Sequence, residues 1–201
     1  TSLDWQEEKI DLADYAQLGD VRIRFRVQTN GSGRYDGWYI DDVAVITGPM
    51  VFNNPETWEA GIGDWQSEKG TWEVGTPTSG PNSSHAGTQS AANVLGGNYG
   101  GSVDSSLMSP VLTVPAANLN PRLRFWHWFS MSNYDWGKVQ IKPTSSTTWV
   151  DIGGPYVSTG SGIWTYPSID LSAYAGQSVQ IAFLFYASTP YESSGWYIDD
   201  V

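Results

Sequence analysis

A seven-residue segment that occurs twice constrains the fold of this chain more than any other feature. Gly-Trp-Tyr-Ile-Asp-Asp-Val occupies residues 37–43 and recurs at residues 195–201, an offset of 158 residues. Self-similarity at a fixed spacing is the signature of repeated structural units. The similarity extends upstream over Ile10-Asp11-Leu12 with Ile169-Asp170-Leu171, Tyr15-Ala16 with Tyr174-Ala175, and Val21–Phe25 with Val179–Phe183.

This repeat predicts the domain organisation. Residues 1–47 form the C-terminal third of a first unit, and residues 48–201 form a second, nearly complete unit. Thr47-Gly48-Pro49 between them is too short for a flexible tether, so consecutive units are expected to lie close together. We expect the rest of the first unit to come from a neighbouring chain or from a longer, repetitive protein.

Apolar and polar residues alternate in several segments. In residues 21–27 two valines, an isoleucine and a phenylalanine alternate with three arginines, and similar patterns occur at 122–129, 138–142 and 179–185. A two-residue period is typical of a half-buried strand. No segment has a sustained 3.6-residue apolar stripe, so little helix is expected. The sequence therefore predicts an all-β protein in which residues 195–201 form the final strand of an antiparallel sandwich.

The composition excludes several partners. Lys and Arg number 10 against 21 Asp and Glu, a net charge of -11, which repels phosphate backbones and anionic lipids, so neither nucleic acid nor membrane insertion is expected. No apolar run approaches the roughly 18 residues that span a bilayer. The N-terminal residues lack the pattern of a signal peptide, so we expect any export signal to lie outside this sequence. The absence of cysteine excludes disulfides and zinc-thiolate sites, and it suits a prokaryotic protein that is secreted or displayed on the cell surface.

Residues 50–201 resemble a known family through an ordered series of motifs. These are Trp58-Glu59-Ala60-Gly61, Trp72-Glu73-Val74-Gly75-Thr76-Pro77, His85-Ala86-Gly87, Leu107-Met108-Ser109-Pro110, Phe125-Trp126-His127-Trp128 and the closing Gly195–Val201. In this order they resemble the MAM-like jelly rolls of bacterial exoproteins, which include cleaved-adhesin domains and the C-terminal region of immune-inhibitor-A-type peptidases. The resemblance implies an antiparallel jelly-roll β-sandwich of the concanavalin-like and MAM-like kind. The chain departs from it in lacking the cysteines of eukaryotic MAM domains and in carrying Ser130-Met131-Ser132 where an acidic residue often stands.

The same resemblance implies a structural calcium ion near the two ends of the unit. Asp199 and Asp200, like Asp41 and Asp42, are adjacent carboxylates on a strand, so at most one of each pair points inward. A buried carboxylate must be neutralised, hydrogen-bonded or bound to a cation, and calcium takes oxygen ligands. In the alternative interpretation the aspartates cap a turn and accept backbone hydrogen bonds. The candidate ligands are Glu59, Asp199 and Asp200, with Asn53, Asn54 and His85 as weaker candidates and Asp41 and Asp42 as members of a site that this chain does not complete.

Catalysis is not expected from this sequence. It has two histidines, so a catalytic triad would have to use His85 or His127. His127 alternates with Phe125 and Phe129, which favours a hydrogen-bonded core histidine over a general base. Neither an HExxH metalloprotease motif nor a P-loop occurs.

The eleven tryptophans raise a binding function. Trp126, Trp128 and Trp136 could form an apolar platform on which sugar rings stack, while polar neighbours read the hydroxyl groups. In the alternative interpretation these rings fill the core or an interface between units.

Three functions follow from these observations. The first is a non-catalytic structural or adhesive repeat, whose partners are neighbouring copies of the same unit and which could build an extended array or filament. The second is a carbohydrate-binding module whose partner is a polysaccharide or glycoprotein. The third is an accessory domain of a secreted peptidase.

Overall fold

The computed structural model describes residues 10, 12–16, 18–29, 31, 37–69, 72–158, 160, 162–188 and 192–201. The described residues form two compact units, which divide between Pro49 and Met50. Helix is confined in them to three single 3-10 turns, at Ala13–Tyr15, Ala117–Leu119 and Ser172–Tyr174. None of their helices is long and apolar enough to cross a bilayer.

The unit of residues 50–201 contains all the strands found in the described part of the chain. They are β1 (Gln66–Glu68), β2 (Glu73–Gly75), β3 (Ser90–Ala92), β4 (Val103–Met108), β5 (Leu112–Thr113), β6 (Arg122–Arg124), β7 (Trp126–Ser130), β8 (Trp136–Pro143), β9 (Val150–Val157), β10 (Ser168–Asp170), β11 (Ser178–Ala187) and β12 (Gly195–Asp199).

The strands form two main antiparallel sheets. The large sheet has the order β1-β4-β11-β8-β9, with β5 pairing beside β4 on β11, and the small sheet has the order β2-β3-β12-β7. Strands β6 and β10 pair separately. The prediction of an all-β antiparallel sandwich is confirmed, and the repeated segment at residues 195–201 does contain its final strand.

The core lies between the two sheets. Alternation along β11 directs Val179, Ile181, Phe183 and Phe185 inward, where each is fully buried. Trp196 of β12 in the small sheet meets Phe183 of the large sheet edge-on, with ring centroids 5.7 Å apart. Because β11 and β12 each have neighbours on both sides, this contact joins the centres of the two sheets.

Residues 10–49 differ from the expectation. No strand is assigned among the described residues of this range, so the strand predicted at 21–27 is not formed there. The assignment of residues 1–47 to the C-terminal third of a preceding unit stays a prediction. Val21, Ile23 and Phe25, which the pattern places on a buried face, are between 46% and 51% exposed. A strand needs a neighbour to accept and donate its backbone hydrogen bonds, and the described part of the chain supplies none for these residues.

Gly137 lies on the inward face of β8 directly against the central tryptophan. A Cβ atom at this position would stand 2.6 Å from the ring of Trp196 and 3.1 Å from Met131. Both neighbours are buried, so neither can move aside freely.

We therefore expect Gly137→Ala to lower the free energy of unfolding by about 1–3 kcal/mol, the usual cost of overpacking a core. Chemical denaturation measures this value. Gly100→Ala is the matched control, because a Cβ there meets nothing within 4 Å. Equal stability of the two variants would contradict the close approach of β8 to Trp196.

Candidate functional site

Residues 76–89, the loop between β2 and β3, cover part of the outer face of the small sheet. Trp196 and Ile198 pack into the core, so Tyr197 and Asp199 point to the outer face, yet both are 0% exposed. The hydroxyl groups of Ser79 and Tyr197 lie 2.8 Å apart. This loop therefore buries a polar layer outside the sandwich, which the two-residue alternation could not reveal.

Asp199 is the anchor of that loop. Its Oδ2 atom accepts hydrogen bonds from the backbone N–H groups of His85 and Ala86, at 2.9 and 3.2 Å. Its Oδ1 atom accepts one from the N–H of Asp200, at 2.9 Å. Burial raises the pKa of Asp199 to about 6, and the adjacent Asp200 carboxylate adds to the rise, although the backbone donors oppose it.

Asp200 leaves the strand in a left-handed conformation, with φ of 47°. Its Oδ2 atom lies 2.8 Å from Nδ1 of His85. The ring of His85 stacks on Trp126 with centroids 3.8 Å apart and an interplanar angle of 12°. The ligand-capable atoms of His85, Asp199 and Asp200 lie within 4.8 Å of one another, the one such cluster of acidic and histidine side chains in the described part of the chain.

Glu59 is outside that cluster and holds the other end of the loop. Its carboxylate accepts three hydrogen bonds, from the N–H and the hydroxyl of Thr88 and from the N–H of Gln89, each at 2.8 Å. These backbone bonds, with Gln89 contributing most, lower the pKa of Glu59. Asp199 and Glu59 thus accept hydrogen bonds from four of the five backbone N–H groups between residues 85 and 89.

The two candidate asparagines, Asn53 and Asn54, have different surroundings. The Nδ2 group of Asn53 donates to Glu56, at 2.8 Å. Asn54 is exposed and lines, together with Asp200, a mostly apolar cavity of about 250 Å³.

The cluster offers two carboxylates and one imidazole nitrogen, whereas calcium takes six to eight oxygen ligands. Each oxygen of Asp199 accepts a backbone hydrogen bond, and one oxygen of Asp200 lies 2.8 Å from His85. A carboxylate oxygen has two lone pairs, so these contacts do not prevent it from binding a cation as well. The contacts of Asp199 are those of the alternative interpretation, in which the carboxylate accepts backbone hydrogen bonds, and calcium binding stays a prediction.

Asp41 and Asp42 repeat part of this geometry without the loop. The Oδ1 atom of Asp41 accepts from the N–H of Asp42 at 2.9 Å, and Asp42 has φ of 50°. Both are exposed. They lie in the unit of residues 10–49, where no third ligand-capable acidic or histidine side chain joins them among the described residues.

His127 lies in the core and is not accessible to a substrate. His127 is 3% exposed, and its Nδ1 atom accepts a hydrogen bond from Nε1 of Trp196 at 3.2 Å. Burial lowers its pKa to about 4, so the ring stays neutral near pH 7. The interpretation of His127 as a hydrogen-bonded core residue is confirmed.

The three candidate tryptophans do not share one surface. Trp126 lies between His85 and Tyr166, whose rings stack on it at 3.8 and 4.8 Å. Trp128 meets Tyr197 edge-on at 5.6 Å on the same sheet. Trp136 points outward from β8 of the other sheet.

On the outer face of the large sheet, Trp136 stacks on Tyr186 with centroids 5.1 Å apart and an interplanar angle of 18°. The ammonium group of Lys138 lies 4.8 Å from the Trp136 ring. Tyr186 is 37% exposed, and sequence reasoning missed it although it is the residue of β11 directly opposite Trp136. Only the strand register identifies that pair.

A second buried carboxylate also escaped the sequence analysis. Asp135 is 1% exposed, accepts a 2.5 Å hydrogen bond from the hydroxyl of Tyr99, and accepts another from the N–H of Ser188 at 2.8 Å. Burial and this bond raise the pKa of Tyr99. An aspartate flanked by turn residues is expected to be exposed, so the burial of Asp135 could not be predicted from the sequence.

Two curated relatives match the chain over part of their length. Bacillopeptidase F of Bacillus subtilis is 33% identical over 149 residues, which are 73% of this chain and 10% of that protein. The pre-pro-metalloprotease PrtV of Vibrio cholerae is 38% identical over 103 residues, 47% of this chain and 11% of that protein. The chain thus spans about a tenth of the length of these relatives. No family model matches it.

Solved structures with a similar fold include carbohydrate-binding modules. TmCBM61 in complex with β-1,4-galactotriose gives a TM-score of 0.49 and 18% identity, covering 77% of this chain and 96% of that one. A module from work on the promiscuous specificity of β-sandwich carbohydrate-binding modules gives 0.47 and 13%, covering 74% and 60%. Both TM-scores are below 0.5 and both identities are below 25%, so these structures do not indicate a ligand for this chain.

The raised pKa of Asp199 predicts a pH-dependent stability. Between about pH 4 and 6 the folded state binds this proton more tightly than the unfolded state, so the stabilisation is present at low pH and is lost as the pH rises through 6. We expect the unfolding free energy of the wild type, relative to Asp199→Asn, to fall by up to about 3 kcal/mol from pH 4 to 7, since a pKa unit is about 1.4 kcal/mol.

Denaturant titrations at several pH values measure that difference. Taking the difference in unfolding free energy between the two proteins cancels the contribution of His127. Its lowered pKa changes stability in the opposite direction but is common to both proteins. Asp41→Asn is the matched control, because its carboxylate makes the same local contact while exposed. A difference that does not vary with pH would refute the buried, protonatable Asp199.

Chelation tests the calcium prediction. We expect a higher melting temperature in millimolar Ca²⁺ than in EDTA if the ion binds beside Asp199 and Asp200, and the same temperature in both if backbone hydrogen bonds alone hold the loop. An ion present at 100 times its dissociation constant would add about 2.7 kcal/mol, a rise of several degrees. Such a rise, abolished by Asp199→Asn and retained in Asp41→Asn, would establish calcium binding at this loop.

Proposed function

We propose that this chain is a non-catalytic accessory module of a larger, secreted bacterial peptidase. The observation that carries the proposal is the pair of matches to segments that make up only 10% and 11% of two proteins named as peptidases. A similarity confined to a tenth of each protein is what an appended module would give. The matched proteins come from two different bacteria, which favours a module that is combined with different partners.

The side-chain chemistry supports a non-catalytic role. A histidine base must reach a substrate, but His127 is buried in the core and hydrogen-bonded to Trp196. A triad on His85, which is paired with Asp200, would also need a nucleophile, and the sequence shows no serine at a nucleophile-type turn. The match to a metalloprotease does not extend to a zinc site, because the sequence has no HExxH motif and its two histidines are 42 positions apart. The segment shared with these peptidases therefore carries something other than the hydrolytic centre.

Export is part of the proposal. The term pre-pro in the name of the Vibrio relative denotes a precursor with a leader and a pro-segment. A net charge of -11 and the absence of cysteine are compatible with a secreted protein. In this chain, hydrogen bonds to the carboxylates of Asp199 and Glu59 hold a loop that a disulfide could otherwise hold. Display on the cell surface stays a separate prediction, which cell fractionation would test.

Recovery of the complete coding sequence tests the accessory role. We expect a peptidase catalytic domain on the same polypeptide, and the purified chain of 201 residues should not hydrolyse casein above the level of its His85→Ala variant. A coding sequence that consists only of copies of this unit would overturn the proposal and favour the structural or adhesive repeat. Hydrolysis that depends on His85 would overturn the non-catalytic assignment.

A second candidate function is glycan binding by the outer face of the large sheet. The register aligns Asp104, Tyr186 and Trp136 in one row across β4, β11 and β8. Tyr186 is stacked on Trp136 on one side and is 37% exposed. An exposed aromatic ring on a flat sheet can stack against a sugar ring.

Polar groups surround that aromatic pair. Lys138 and Gln140 both contact Asp151, each at 2.7 Å, and Lys69 pairs with Asp104 at 2.7 Å. Such groups can bond sugar hydroxyls beside the ring. Neighbouring strands are about 4.8 Å apart, so the row of Asp104, Tyr186 and Trp136 spans about 10 Å, enough for a saccharide to lie across the strands.

Affinity electrophoresis against soluble galactan, xylan, glucomannan and pectin tests this candidate. We expect at least one polysaccharide to retard the migration of the wild-type protein. We expect the Tyr186→Ala variant to bind that polysaccharide at least about tenfold more weakly. Tyr134→Ala is the control, since Tyr134 is 81% exposed and stacks on no ring among the described residues. No retardation by any polysaccharide, or equal affinity of the two variants, would remove this candidate and leave the accessory role intact.

A further inference from the structure

A second aromatic group lies on the outer face of the large sheet, at the opposite end of β8 from Trp136. Trp149 immediately precedes β9, and the ammonium group of Lys142 lies 4.7 Å from the centre of its ring. Val139 and Ile141 of β8 are fully buried in the core, so the alternate residue Lys142 points to the outer face, where it contacts this ring. Trp149 is partly exposed. The outer face therefore carries an aromatic group at each end of β8.

The two aromatic groups are far apart along the strand. Trp136 and Lys142 are the first and seventh residues of β8. A strand rises about 3.3 Å per residue, so about 20 Å separates the two ends. One sugar ring that stacks on either group cannot reach the other. A saccharide that contacts both must therefore be extended and several rings long.

Polar side chains occupy the interval between the two aromatic groups. Lys138 and Gln140 of β8 both donate hydrogen bonds to Asp151 of β9, each at 2.7 Å. These bonds hold donors and acceptors at fixed positions, which reduces the entropy cost of binding hydroxyl groups. The side chains together form the β8 strip, which comprises Trp136, Lys138, Gln140, Asp151, Lys142 and Trp149.

The charges on this face balance. Within the described strands, the charged side chains that alternation places on it, together with one ion-pair partner of Asp104, are Glu68, Lys69, Asp104, Lys138, Lys142 and Asp151. These are three positive and three negative charges. The whole chain carries a net charge of -11, so it repels a polyanion, and this face has no net positive charge to offset the repulsion. The face therefore favours an uncharged ligand.

The order of the side chains favours a glycan over a protein as the ligand. The fully buried centre of a protein–protein interface is depleted of charged residues, whereas an ion pair between Lys138 and Asp151 lies in the middle of the β8 strip. A polysaccharide presents apolar ring faces and hydroxyl groups along its whole length. It can therefore stack on separated aromatic side chains and bond to the polar groups between them.

We propose that the β8 strip binds a segment, several rings long, of an uncharged and extended polysaccharide that runs along β8. Rings at the two ends of this segment stack on the aromatic pair of Tyr186 and Trp136 and on Trp149. Hydroxyl groups of the rings between them bond to the polar side chains in the middle of the strip. This inference rests on the glycan-binding candidate and adds the length and the charge of its ligand.

Calorimetric titration of the full chain with saccharides of different length tests the proposal. The probes are two-ring and six-ring fragments of galactan, xylan and glucomannan, with the same fragments of polygalacturonate as charged counterparts. We expect the six-ring fragment of at least one uncharged polysaccharide to bind at least about tenfold more tightly than its two-ring fragment, because only the longer one contacts both aromatic groups. We expect the polygalacturonate fragments to bind more weakly than that six-ring fragment.

Variants at the two ends of the β8 strip separate its contacts. We expect Trp149→Ala to bind the six-ring fragment about tenfold more weakly than the wild type and the two-ring fragment equally well, whereas Tyr186→Ala weakens the binding of both. Trp149→Tyr keeps an aromatic face and should recover most of the lost affinity, which distinguishes a lost contact from a misfolded variant. Tyr134→Ala, which removes an exposed ring outside the strip, should bind both fragments as the wild type does.

The absence of binding by every fragment and every polysaccharide would overturn both this inference and the glycan-binding candidate. Binding that depends on Tyr186, but is equal for the two lengths and unchanged in Trp149→Ala, would overturn this inference and leave the candidate intact. Tighter binding of polygalacturonate fragments than of the uncharged fragments would overturn the assignment of an uncharged ligand.

Discussion

The contact of Phe183 with Trp196 is the interaction on which the rest of the fold depends. These residues lie on the central strands of the two sheets, and their rings meet edge-on at 5.7 Å. Gly137 leaves room for the tryptophan on one side, and His127 accepts its indole hydrogen bond on the other. Both strands are interior strands of their sheets, so this contact lies between strands that have paired neighbours on both sides.

In this chain, carboxylates hold loops in place through hydrogen bonds, a role that disulfides have in many extracellular proteins. Asp199 and Glu59 hold the loop over the small sheet through four backbone N–H groups, and Asp135 holds Tyr99 and Ser188. A carboxylate can accept several hydrogen bonds, so one buried side chain fixes an irregular segment whose backbone donors would otherwise be unsatisfied. The cost is desolvation, which appears as the raised pKa of Asp199.

The sequence predicted the fold class and the core positions of β11 because alternation reports directly which side chains face inward. It also identified His127 as a core residue. It failed where burial is created by segments remote in sequence. Trp126 and Trp136 were predicted to share a platform, but they lie on different sheets, and Tyr186 joins Trp136 only through the pairing of β11 with β8. Asp199 was expected to be hydrogen-bonded or metal-bound, and the loop donors that hold it come from 114 residues away.

The two copies of one segment separate what the sequence alone determined from what tertiary structure decided. The turns at Ala13–Tyr15 and Ser172–Tyr174, and the left-handed glycine and aspartate of the repeat, are the same in both copies. Steric limits and hydrogen bonds within a few residues suffice to fix them. Strand pairing and burial differ completely, with Trp38 56% exposed and Trp196 0% exposed. A strand's hydrogen bonds and a buried face both require atoms from other segments, so identical sequences acquire them only where those neighbours are present.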